Sequence, residues 1–64
     1  MVNSNKVKGL IVENGYSMSE MAEFLGMSPA SLNRRLKKGV FKSNEIAVLI
    51  EKLHIDDPVP VFFA

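Results

Sequence analysis

"SMSEMAEFLGMSPASLNRRLKKG", residues 17–39, contains two helix starts and two helix stops. Glu20 follows Ser17 by three residues. In that pattern the serine oxygen takes an orphan helix N–H and the glutamate reaches back to the serine amide. Gly26 closes the first helix, because the chain must turn there through a conformation that residues with a Cβ adopt only with strain. Ser28 opens the second, with Pro29 at its first position, where a missing N–H removes nothing. Gly39 ends it. Met18, Met21, Ala22 and Leu25 share one face of the first helix, and Leu32 and Leu36 form an i, i+4 pair on the second. Ala22 is small enough for a close crossing, and Met27 turns inward. Two short helices joined by a brief Gly-containing turn make a helix-turn-helix, placed here at about residues 17–38.

Helical patterning continues on both sides. From about Asn5 to Asn14, Val7, Leu10 and Ile11 recur at i, i+3, i+4, with Gly15 as terminator. A fourth helix is expected with Ser43 as its cap and Ile46, Leu49, Ile50 and Leu53 on a stripe, Ala47 beside it, ending near His54. The tail, residues 56–64, is apolar after "DDP". Asp57–Pro58 could cap a fifth short helix, but Pro60 argues for an extended segment. The expected fold is all-α, four to five helices in one domain over residues 1–64. Ile55, Val59, Val61, Phe62 and Phe63 either cover this small core or form a dimer contact, two roles that do not exclude each other.

At 64 residues with 47% hydrophobic and 23% charged content, the composition is that of a small globular domain. There is no cysteine, hence no disulfide and no Cys-based zinc site. The single histidine, His54, has no second His or Cys to share a metal, and near a helix end it meets the dipole or packs at the edge. Asp56 and Asp57 belong to a turn and a cap. No nucleophile triad, glycine-rich phosphate loop or HExxH motif is present, so no catalytic residue, metal or cofactor is expected and the chain is not read as an enzyme. "MVNSNKVKG" has no apolar run suited to a signal or span, and a cytoplasmic location without membrane contact is expected.

Net charge is only +1, but its distribution is uneven. Arg34, Arg35, Lys37, Lys38 and Lys42 make five of the eight basic residues, and no acid lies between Glu23 and Glu45. Like charges so gathered repel one another unless an anionic partner relieves them.

The segment 17–39, followed by "SNEIAVLIEKLHID", resembles the phage repressor and Cro-like helix-turn-helix family, also called Xre-type or lambda-repressor-like, over about residues 5–55. The resemblance implies a four- or five-helix domain that binds operator DNA, usually as a homodimer. It also implies a base-reading set of Pro29, Ala30, Asn33 and Arg34. Two departures stand out. Met18 occupies the position where the family usually has a phosphate-gripping Gln, leaving Ser17 and Ser19 at that helix end. Arg35 stands where an aliphatic residue is common; Leu36 takes its packing role, and Arg35 lays its methylenes along the core edge.

On a helical wheel Leu32 and Leu36 point inward, while Ala30, Arg34 and Lys37 point nearly opposite, Asn33 on one flank and Ser31 and Lys38 on the other. An outward helix of this kind fits the major groove. There Arg34 suits guanine, Asn33 adenine, and Ala30 a thymine methyl. Ser17, Ser19, Ser28 and Ser31 lie near helix starts suited to phosphate. Lys37, Lys38 and Lys42 would flank the groove as point charges. Tyr16 and Phe41 are expected at the core edge, and the four Met residues in or against the core.

These residues fit a Cro-like transcriptional repressor from a phage or mobile element in a bacterial cell, holding a pseudo-palindromic operator as a homodimer. A rival reading keeps the same frame but makes the chain an anti-repressor type of modulator that binds another repressor protein. Near-neutral total charge, Met18, the apolar Pro29–Ala30 start and the "VPVFF" tail favour that rival.

Overall fold

The computed structural model describes residues 2–63, and five helices run through them: α1 (Ser4–Glu13), α2 (Met18–Phe24), α3 (Pro29–Lys38), α4 (Ser43–Lys52) and α5 (Val59–Phe62). No strand occurs among the described residues, so the fold is all-α. Met1, counted above with the core methionines, and Ala64, the end of the tail, lie outside the described residues.

The helix-turn-helix forms as its sequence dictates. Ser17 Oγ accepts the Glu20 N–H at 3.1 Å, and the Ser17 N–H donates to Glu20 Oε1 at 2.9 Å. At the other end of α2, the Gly26 N–H donates to the Glu23 carbonyl and the Met27 N–H to that of Ala22, each at 3.0 Å. This paired closure needs a left-handed residue, and Gly26 has φ +70°. A Cβ there would meet nothing within 4 Å, so backbone conformation alone selects the glycine. α4 ends in the same way, with His54 N–H to Glu51 and Ile55 N–H to Ile50, but there the left-handed residue is His54, at φ +52°.

The core sits where the helices converge. Val7 and Ile11 of α1, Met21 and Ala22 of α2, Leu32 and Leu36 of α3, Leu49 of α4, and Leu53 just after it are all essentially inaccessible. Phe41 is buried in the α3–α4 connection, and Tyr16, Met18, Leu25 and Met27 pack half-buried against the cluster. Ala47 is exposed on α4. The exposed Phe24 ring meets Tyr16 edge-on, centroids 5.2 Å apart, and Lys52 Nζ lies 4.5 Å from its centroid.

Three local expectations are corrected. The tail is not extended through Pro60: Val59–Phe62 form a helix with Pro60 in its first turn. A proline there removes only an N–H that would have no intrahelical partner. Asp57 Oδ1 accepts the Val59 N–H at 3.2 Å, and the Phe62 N–H reaches the Pro58 carbonyl at 2.8 Å. Second, Ser43 does not cap α4; it is the first helical residue, and the cap position falls to Lys42. The Lys42 N–H donates to Glu45 Oε1 at 2.7 Å, so the carboxylate three residues into the helix fixes its start. Third, Arg35 does more than lay methylenes on the core edge: it pairs with the buried Glu45 across the α3–α4 connection.

The tail is divided. Val61 and Phe62 are buried in this chain's own core and Ile55 packs against it, whereas Val59 and Phe63 are about 60% exposed. The chain start closes over α5: the Asn3 N–H donates to the Val61 carbonyl at 2.6 Å, and the Val2 N–H to that of Gly39 at 3.3 Å.

Candidate nucleic-acid interface

α3 is ten residues long, and burying Leu32 and Leu36 turns its opposite side outward. Pro29, Ala30, Asn33, Arg34, Lys37 and Lys38 are all exposed. The outer ridge Ala30–Arg34–Lys37 separates two shallow depressions. Ser31, Arg34, Arg35 and Lys38, spaced i, i+3, i+4, i+7, line the first. Pro29, Ala30 and Asn33, joined by Met18 from α2, line the second. One flank of α3 is therefore basic and the other largely apolar.

Among the described residues, Arg35 alone of the five clustered cations has an ion-pair partner. Arg34, Lys37, Lys38 and Lys42 keep their charges free for an external anion. Arg34 Nη2 donates to Ser31 Oγ at 3.2 Å, and Ser28 Oγ donates to the same oxygen at 3.0 Å. This chain of polar contacts holds the guanidinium beside the N-terminal turn of α3.

The helix starts offer less to a phosphate than their serines suggest. Ser28 Oγ accepts the Ser31 N–H at 3.1 Å, and Pro29 has no N–H, which leaves the Ala30 amide as the open donor of that turn. At α2, both the oxygen and the amide of Ser17 are engaged by Glu20, whose carboxylate brings negative charge to that end. Ser19 is exposed there. Lys42 is exposed at the start of α4, with its amide held by Glu45. No group of three or more His, Asp or Glu side chains able to hold a metal ion occurs among the described residues, and no helix is long and apolar enough to cross a membrane.

Two residues of this surface were not singled out as site residues by the sequence: Met18, which completes the apolar depression, and Arg35, which lines the basic one. The i, i+3, i+4, i+7 spacing from Ser31 to Lys38 contained the signal for Arg35. Met18 was marked only as a departure at a phosphate-contact position, because the α2–α3 crossing alone brings it to Pro29.

A helix-turn-helix family model, described as "Bacterial regulatory protein, Fis family", matches residues 11–39, a little under half of the chain. That stretch holds α2, the turn and α3. It differs from the phage repressor family that the residues resemble. A protein of Pyrococcus horikoshii named "Putative HTH-type transcriptional regulatory protein" is 38% identical over 58 residues, which cover 91% of this chain. The chain spans only 18% of that relative's length. No solved structure matches the chain.

Proposed function

We propose that this chain is a DNA-binding transcriptional regulator that inserts α3 into the major groove, acting as a Cro-like repressor on a pseudo-palindromic operator. The carrying observation is the two-sidedness of α3: Leu32 and Leu36 hold it on the core while Arg34, Lys37 and Lys38 project without acidic partners. The helix-turn-helix match and the relative's name support the same reading. Asn33 and Arg34 carry the planar hydrogen-bonding groups suited to adenine and guanine, with Pro29 and Ala30 in apolar contact beside them. Lys37, Lys38, Lys42, Ser19, Ser28 and Ser31 serve the phosphates, and Ser17 chiefly caps α2. The work is done in the cytoplasm, where the operator is.

Size argues for a pair of copies. The described residues span 26 × 23 × 20 Å, less than the roughly 34 Å of one duplex turn. One copy therefore covers one half-site, and two copies reach successive grooves. The exposed Val59 and Phe63 are the surface proposed for that pairing. The same two side chains favour the second reading, a modulator that docks on another repressor.

Enrichment of random duplex DNA by the purified protein tests the proposal. A two-fold symmetric motif, bound with an affinity that falls steeply with salt, is expected, because each neutralised phosphate releases counterions. A folded protein that enriches nothing would overturn it in favour of the modulator.

A further inference from the structure

The depression between α2 and α3 is chemically unlike the rest of the exposed α3 surface. Of its four residues, Met18, Pro29 and Ala30 have apolar side chains, and Asn33 alone brings a hydrogen-bonding group. A sugar-phosphate backbone would gain nothing from such a surface. The adjacent turn offers an anion little more, since Pro29 lacks an N–H and the Ser31 N–H is taken by Ser28, leaving the Ala30 amide as its open donor. The opposite flank, with Ser31, Arg34 and Lys38, carries the cations. Charge complementarity thus sets the roll of α3 in a groove: Lys38 on the basic flank faces a phosphate strand, while Arg34 on the ridge and the apolar flank face the base-pair edges.

Among those edges the major groove presents one apolar group, the C5-methyl of thymine. We propose that the Met18–Pro29–Ala30 depression is a thymine-methyl site, with Asn33 beside it to pair with an adjoining adenine. The proposal rests on the DNA-binding reading of α3 and goes beyond it by naming the group recognised. Met18 supplies a flexible, polarizable thioether that can close over a methyl, while Pro29 and Ala30 give a surface without competing donors. Met18, at the head of α2, then becomes a specificity device. The site should contain a thymine with an adenine within a step of it.

Deoxyuridine differs from thymidine only by the missing methyl and pairs identically. Starting from the motif enriched by the full chain, each thymine is replaced in turn by deoxyuridine and affinity is measured. We expect about a four-fold loss at one or two adjoining thymines per half-site, the scale of one buried methyl group. In Met18→Ala that uridine penalty should shrink toward none, whereas in Lys38→Ala it should persist while all affinities fall together.

A motif with no uridine penalty anywhere would overturn the methyl site and leave DNA reading by α3 intact. A penalty unchanged in a folded Met18→Ala would overturn the assignment to this depression. No motif at all would remove both. The uridine series on the unaltered protein can overturn the methyl site even if Met18→Ala folds poorly.

Discussion

Arg35, in the last turn of α3, and Glu45, in the first turn of α4, form an ion pair that spans the connection between the two helices. The same Glu45 Oε1 accepts the Lys42 amide at 2.7 Å, so one buried carboxylate oxygen holds both the end of the candidate reading helix and the start of the next. Without Arg35, a carboxylate with 8% of its side chain exposed would be left with a backbone amide as its one polar partner. The pair also withdraws one positive charge from the basic flank, which tells Arg35 apart from its neighbours Arg34 and Lys38.

Glu45→Ala should therefore destabilise the fold by about 1–3 kcal/mol, discounted from the value for fully buried pairs because Arg35 is itself about one-third exposed. Glu45→Gln keeps an oxygen for the Lys42 amide and should lose less. Urea unfolding of the two variants makes the comparison, and equal losses would show that the amide contact contributes nothing.

Phe62→Ala should cost about 3–5 kcal/mol, because Phe62 is 2% exposed and its removal opens a cavity. Phe63→Ala, at 64% exposure, should change monomer stability by no more than about 0.5 kcal/mol. If Val59 and Phe63 form the interface, Phe63→Ala will instead lower the dimer fraction by sedimentation. A monomer both before and after the change removes α5 as a dimer surface.

His54 is held at φ +52° by the closure of α4, a conformation in which Gly carries no Cβ penalty. His54→Gly should raise stability by about 0.5–1 kcal/mol, a few degrees in Tm for a domain of this size. A fall in Tm would mean that the imidazole makes a compensating contact.

Arg34→Ala should flatten sequence preference at one position of the half-site, while Lys38→Ala should weaken every duplex about equally and reduce the salt slope by about one. Competition binding against a panel of single-base variants at two salt concentrations separates these effects. If Arg34→Ala leaves preference unchanged, its guanidinium contacts phosphate instead.

The helix-turn-helix was legible because its punctuation is local. Ser17, Glu20, Gly26, Ser28, Pro29 and Gly39 each act within a few residues of themselves. The start of α4 was misplaced by one residue because Ser43 and Lys42 compete for the cap, and a glutamate three residues on decides it through the Lys42 amide. α5 was hidden by Pro60, since a proline breaks a long helix but suits the first turn of a short one. The two flanks of α3 were only half visible. Periodicity placed Ser31 and Lys38 on one flank and Arg34 on the outer face, but the pairing of Arg35 with Glu45 and the approach of Met18 to Pro29 depend on how helices cross.

Asn3 and Val61, joined by a backbone hydrogen bond of 2.6 Å, clasp the segment ahead of α1 onto α5, so that the first and last of the five helices are neighbours. A change that loosens either of these two helices is therefore felt by the other.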